Sequence, residues 1–303
     1  MEKKLMRLSL VMNAVLAFSG LYFGYKAHSS AILTDGMYSS LLAVMSFLSM
    51  GVLRLIRKPQ SKTHPFGYSG YEPLVNLFRG LMILMVVVFG TFESIDSLMH
   101  GGNIIDFSSS LIYFVLCLSG CIITYFIFYF QNRKQSSPIL KVEKSNWLID
   151  TLLTAGMGIS FMVAFFLKNF YPEFIAYVDP LVTILLLLSI VKMPFDTIRG
   201  ALKELLQMAP SEDITHTINR VLKQYYTPSE ISDYNHMITK TGREIYVLAV
   251  VLLNESQEKV DGQLRFDTIE KHDVFRETLF NDLKSIYPTI RLDVSFTFDA
   301  KWL

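Results

Sequence analysis

Phe107-Ser-Ser-Ser-Leu-Ile-Tyr-Phe-Val-Leu-Cys-Leu-Ser-Gly-Cys-Ile-Ile-Thr-Tyr-Phe-Ile-Phe-Tyr-Phe130 runs for 24 residues without a charged side chain. As an α-helix it rises about 36 Å, at about 1.5 Å per residue. That is enough to cross a hydrocarbon layer roughly 30 Å thick. Working outward, five more runs read the same way: Leu8–Tyr25, Ala31–Leu55, Leu74–Leu98, Trp147–Leu167 and Phe174–Met193. Together they fill the first two thirds of the 303-residue chain, whose mean hydropathy is +0.36 and of which 51% is hydrophobic and only 18% charged. From about Pro210 the sequence turns polar and mixed. The expected fold is a polytopic α-helical membrane domain of six transmembrane helices, residues 1–209, followed by a C-terminal α+β domain, residues 210–303.

Basic residues set the expected topology. Lys3, Lys4 and Arg7 precede the first run. Arg54, Arg57, Lys58 and Lys62 follow the second, and Arg133, Lys134, Lys141 and Lys144 follow the fourth. The opposite side carries only Lys26 and Lys168. An excess of Lys and Arg marks the cytoplasmic side, so both termini are expected in the cytoplasm. The start, Met1-Glu-Lys-Lys-Leu-Met-Arg7, looks like the n-region of a signal peptide. It has no small-residue cleavage site, and the first run is read as retained. The net charge of +1 offers nothing to a nucleic acid.

The tail reads as α-β-β-α-β. Ser211–Tyr225 has helical apolar spacing behind a Pro-Ser-Glu-Asp start. Ile231–Thr239 and Glu244–Leu253 read as strands joined by the turn Lys240-Thr-Gly-Arg243. Phe266–Tyr287 reads as a helix, and Ile290–Phe298 alternates as a strand. Glu255–Gly262 reads as a polar loop.

The chemistry concentrates in two pairs. Asp35 and Ser39 stand at i,i+4 in the second run, and Asn146 and Asp150 stand at i,i+4 around the start of the fifth. Residues four apart share one helix face. An acid in hydrocarbon costs several kcal/mol and marks function. If the helices meet, four oxygen-bearing side chains surround a charge of about −2, suited to a divalent cation. Depth is the condition: a fifth run starting at Trp147 leaves Asp150 near one end, whereas a start near Ile139 brings it to mid-membrane. Arg79 reads as snorkelling or pairing with Glu72. Glu93 and Asp96 read as facing water at the end of the third run, and Asp179, before Pro180, as the opening of the sixth helix. Cys117 and Cys121, also i,i+4, are spaced so that they could bind a soft metal but read as packing residues, and they form no disulfide framework. No Ser/His/Asp constellation, phosphate loop or zinc-protease pattern points to an enzyme.

With these stretches in hand, the chain resembles the cation diffusion facilitators. The resemblance rests on Asp35-Gly-Met-Tyr-Ser39, His64-Pro-Phe-Gly-Tyr-Ser-Gly-Tyr-Glu-Pro73, Asn146-Trp-Leu-Ile-Asp150 and Val178-Asp-Pro180. It implies a ferredoxin-like tail and a homodimer formed through that tail. It also implies efflux of divalent metal from the cytoplasm by proton antiport with alternating access. No cofactor is implied, because the metal is the transported substrate. The membrane is expected to be a bacterial inner (cell) membrane, with lipid and metal as the partners. The implied metal residues are Asp35, Ser39, Asn146 and Asp150. Secondary positions are His64, His272 and Asp299, although Tyr68 and Thr297 stand where the family often has His. Ser39 replaces a common acid and Asn146 a common His, so the site is all oxygen. Zinc prefers nitrogen and sulfur, and oxygen sites suit harder ions. The expected cargo therefore moves toward Mn²⁺, Fe²⁺ or Mg²⁺. The alternatives are a zinc or cobalt exporter with an atypical site, and a non-transporting membrane receptor or scaffold.

Overall fold

The computed structural model describes residues 2–102, 106–134, 138–167, 172–226, 230–254 and 268–303. The expected polar loop Glu255–Gly262 lies outside the described residues. Two compact units divide the chain: residues 1–55 with 75–198, and residues 56–74 with 199–303.

The first unit is helical. Its elements are α1 (Glu2–Ala27), α2 (Ser30–Leu55), α3 (Tyr71–Met99), α4 (Phe107–Lys134), α5 (Pro138–Leu167), α6 (Pro172–Ile190) and α7 (Lys192–Leu205). The division between the units falls within α3 and within α7. Six helical stretches are long and apolar enough to cross a membrane, the last running through α6 into α7. The short helix α7 is amphipathic, carrying Lys192, Asp196, Arg199, Lys203 and Glu204, and lies largely past the end of the sixth apolar run, where no helix was expected. α5 begins twelve residues before Asp150, which places the acid well inside the helix, while the stretch apolar enough to cross a membrane runs Asn146–Phe166, close to the expected start at Trp147.

Five helices close a circuit: α1 packs on α2 and α4, α4 on α5, α5 on α6, and α6 on α2. Without a hydrophobic drive between helices in lipid, close approach relies on small residues. Gly20 and Gly36 supply it between α1 and α2. A Cβ on Gly36 would lie 2.5 Å from the Gly20 carbonyl carbon. Gly158 makes the same room for the Phe114 ring between α5 and α4. Tyr113, Cys117, Cys121, Phe128, Trp147 and Met157 form the core of this side. On the other side, Tyr38 and Leu42 of α2 pack on Ile83 and Val86 of α3. Large side chains such as Phe18, Phe92, Leu152 and Phe166 remain on the outside, the expected exterior of a bundle solvated by lipid.

The second unit holds α8 (Glu212–Tyr225), β1 (Ile231–Thr241), β2 (Glu244–Leu253), α9 (Ile269–Ile286) and β3 (Ile290–Thr297). The order of the expected elements holds. β1 and β2 are antiparallel, β2 and β3 parallel, and the sheet order is β1-β2-β3. One sheet face is apolar by alternation, with Ile245, Val247, Ala249, Val251 and Leu253 of β2 all buried. It packs with Ile218 and Leu222 of α8 and Phe275, Leu279 and Leu283 of α9. Gly242 turns the β1–β2 hairpin at φ +58, where a Cβ would strike the Ser69 carbonyl at 2.7 Å.

The loop after α2 belongs to this unit. The Tyr246 hydroxyl donates to the Phe66 carbonyl at 3.1 Å, and Arg243 pairs with Glu72 at 3.5 Å. Glu72 is therefore held by Arg243 and not by Arg79, whose Nη2 donates to Ser49 of α2 at 3.2 Å.

Gly36→Ala is expected to separate α1 from α2 at a cost of about 1–3 kcal/mol, the range for overpacking a close contact. The thermal midpoint of the detergent-purified protein should fall. An unchanged midpoint would contradict the approach of the two backbones.

Candidate functional site

Asp35 lies five residues into α2, and the start of that helix is firmly held. The Ser29 hydroxyl caps it, accepting from the Ile32 amide at 3.2 Å. The same hydroxyl donates to Asp179 Oδ1 of α6 at 2.5 Å, and the Ser30 amide donates to Asp179 Oδ2 at 2.7 Å. A carboxylate at a helix N-terminus satisfies orphan amides and meets the positive end of the dipole. Asp179 has no exposed surface and lies within α6, seven residues past its start. It therefore caps a neighbouring helix rather than opening its own. Glu93 of α3 joins from the side, accepting from the Ser30 hydroxyl at 3.2 Å. Glu93 remains exposed, as expected near the end of the third run, and adds to that a long-range pairing with Ser30 that sequence spacing does not show.

Asp35 itself takes its hydrogen bonds from α4. The Tyr113 hydroxyl donates to Oδ2. The Cys117 thiol points at the same oxygen from 3.8 Å. On its other side, Cys117 Sγ is 3.8 Å from Thr154 Oγ1 of α5. Tyr113, Cys117 and Thr154 are all buried, with at most 1% of their surface exposed. A polar chain thus crosses from α2 through α4 to α5. Nothing in the spacing of Tyr113 or Thr154 marks them for it, and Cys117 reads by spacing as a packing residue.

A cavity of about 40 Å³ adjoins Asp35, room for a few waters at most. Thr34, Asp35 and Tyr38 of α2 line it with Leu153 and Met157 of α5, Thr183 and Leu187 of α6 and Val86 of α3. The Thr34 hydroxyl is buried there without a hydrogen-bond partner.

The two expected pairs take different positions around this centre. Ser39 is buried one turn along α2 from Asp35. Asp150 and Asn146 are half-buried on α5. Asp35 and Asp150 both lie within electrostatic reach of the Tyr38 hydroxyl, as does Arg79. Three chain reversals separate α2 from α5, so the two helices run in opposite directions. Cys117 puts Asp35 level with Thr154. Ser39 and Asp150 then both fall one turn to the same side, a step of about 6 Å. Asn146 falls about one turn further still. Counted along the antiparallel helices, Ser39 and Asp150 thus lie on the same side of the Asp35–Thr154 level.

Among the described residues, no three His, Cys, Asp or Glu side chains gather into a metal cage. The secondary positions are engaged locally. Both ring nitrogens of His64 have partners, Thr63 at 3.0 Å and Tyr71 at 3.1 Å, and its ring stacks on Tyr68. His272 stacks on Phe296 at 4.2 Å. Asp299 binds the Lys301 ammonium and amide, and Lys301 holds its carboxyl below the usual range.

Comparison with known proteins gives a consistent picture. Residues 6–206 match the model of the cation efflux transmembrane domain. The chain is 21% identical over 223 residues to the manganese efflux system protein MneP of Bacillus subtilis, covering 74% of this chain and 75% of that protein. It is 30% identical over 92 residues to the manganese efflux system protein MneS of the same organism, covering 29% and 32%. It is 24% identical over 201 residues to the human proton-coupled zinc antiporter, covering 62% and 51%.

Replacing Asp179 by Ala strands the Ser29 hydroxyl and the Ser30 amide in a buried site, at a cost of about 1–3 kcal/mol. The melting midpoint should fall clearly, and less so for Asp179→Asn, which keeps an acceptor. Equal midpoints for wild type and Asp179→Ala would remove the cap from the account of how α2 is held.

Proposed function

The chain belongs to the cation efflux, or cation diffusion facilitator, family of metal transporters, and from that premise we propose that it exports divalent cations from the cytoplasm through Asp35 and Asp150. The observation that carries this reading is Asp35, an intramembrane acid beside a cavity and within reach of the same tyrosine as Asp150. An intramembrane acid is expensive without a charged partner. A divalent cation between two such acids is that partner. Ser39 adds a neutral oxygen on the same side as Asp150, and Asn146 a further one toward the cytoplasmic end.

Oxygen donors with room for water suit Mn²⁺ and Fe²⁺ better than Zn²⁺. The similarity to two manganese efflux proteins supports that preference. The chain supplies no His at the site, so counter-transported protons would travel on Asp35 and Asp150. The similarity to a proton-coupled antiporter supports such coupling. Alternating access follows from rocking helices around a site near mid-membrane, and the polar chain from α2 to α5 is what must rearrange. The distribution of Lys and Arg supports cytoplasmic termini in a bacterial cell membrane. The tail is assigned to dimerisation without bound metal, since Asp299 is bonded within its own turn.

Proteoliposomes carrying the full chain test the reading across Mn²⁺, Fe²⁺, Mg²⁺, Co²⁺ and Zn²⁺. Asp35→Asn and Asp150→Asn should each lower flux at least tenfold, a loss of about 1.4 kcal/mol or more in the transport barrier. Mn²⁺ and Fe²⁺ should outrun Zn²⁺. Wild-type flux in both variants would place the ion elsewhere.

A further inference from the structure

Oxygen ligands alone leave one problem unsolved: carboxylates, hydroxyls and water suit Mg²⁺ as well as Mn²⁺. Sulfur does not suit Mg²⁺, and the structure holds a sulfur at this place. Cys117 Sγ lies 3.8 Å from Asp35 Oδ2 and 3.8 Å from Thr154 Oγ1. A cation held by a thiolate at about 2.3 Å and an oxygen at about 2.1 Å, with a roughly tetrahedral angle, separates those donors by about 3.6 Å. The observed spacings are close to that on both sides of the sulfur. The three atoms come from three different helices, so their convergence is a product of the fold rather than of helical spacing. Cys117 belongs to the packed core of this side, yet its sulfur also faces a carboxylate and a hydroxyl, and the cavity that Asp35 lines holds the partnerless Thr34 hydroxyl.

We propose that Cys117 is a ligand of the transported ion, joining Asp35 and Thr154, and that its sulfur admits first-row transition cations while rejecting Mg²⁺. The proposal rests on Asp35 as an ion ligand and narrows the cargo of that site. Cys121, one turn along α4, is in hydrogen-bond contact with the Cys117 thiol, so its own variant tests whether a second sulfur takes part. A thiol that binds metal does so deprotonated, so the ion's arrival releases the Cys117 proton.

The test has two readouts on the full-length protein. The first is titration of purified protein with Cd²⁺, followed by the ultraviolet sulfur-to-cadmium charge-transfer band. Wild type and Cys121→Ser should develop the band at about one equivalent, and Cys117→Ser and Cys117→Ala should not. The second is Mn²⁺ flux in proteoliposomes against excess Mg²⁺. Scaled to its own Mn²⁺ flux without Mg²⁺, Cys117→Ser should become about tenfold more sensitive to Mg²⁺ than wild type. Monodisperse elution of both Cys117 variants verifies that they are folded.

A wild-type protein that shows no band overturns the proposal whatever the variants do. So does a band that survives in Cys117→Ser, or an unchanged Mg²⁺ sensitivity. If Asp35→Asn abolishes flux while Cys117→Ser leaves both readouts unchanged, Asp35 keeps its role and the thiol loses it. If Asp35→Asn transports normally, the site itself is misplaced and the thiol's role goes with it.

Discussion

A carboxylate inside hydrocarbon must have its lost water replaced by protein groups, and two such carboxylates organise this bundle around α2. Asp179 receives the first amide of α2 and its capping serine. Asp35, five residues along, is held by Tyr113 and Cys117. The first bond ties α2 to α6 and the second ties it to α4. The helix is therefore fixed at its start and braced at its charged turn. Gly20 and Gly36 let α1 close against its back, which leaves one face of α2 for the cavity.

Surface charge plays a smaller part elsewhere. In the second unit, Glu204 pairs with Lys240 at 2.7 Å and Glu244 with Arg291 at 2.9 Å. Both pairs are partly solvated, and such pairs contribute little beyond geometry. What they specify is position: Glu204 also accepts from the Gly242 amide at 2.9 Å, so α7 grips the hairpin tip. The tail owes its stability to the apolar face of its sheet under α8 and α9.

The contrast between Asp179 and Asp35 separates structure from function. Asp179 meets two strong donors and a helix dipole, so its charge is already satisfied. Asp35 meets two donors on a single oxygen, Oδ2, beside an open cavity. A carboxylate offers about four acceptor positions, and Asp35 keeps capacity for a cation where Asp179 has little. The same comparison explains why the thiol matters. It is a weak donor to Asp35, easily exchanged for a metal, whereas a serine at Asp179 makes a bond of 2.5 Å.

Much of this was legible in one dimension, since apolar runs of twenty or more residues permit little besides bilayer-spanning helices. The alternation in Ile290–Phe298, and the turn Lys240–Arg243 between Ile231–Thr239 and Glu244–Leu253, gave the strands, because a pleat puts every second residue on one face and a turn bounds a strand. Asp35 and Asp150 stood out because charge in such runs is rare. The sequence could not decide what those acids touch. Tyr113 lies 78 residues from Asp35, and Ser29 lies 150 from Asp179. Those contacts depend on which helix neighbours which, and hydrophobic periodicity carries no such information. The helix α7 lay outside the expected elements, being amphipathic and charged where α6 is apolar. By itself, then, the sequence determined the number of spans, the class of the tail and the two acids, because length, period and charge are local properties. Only the tertiary structure decided that Asp179 is a cap and that Cys117 faces oxygen, because each of these follows from helices distant in the chain being packed side by side.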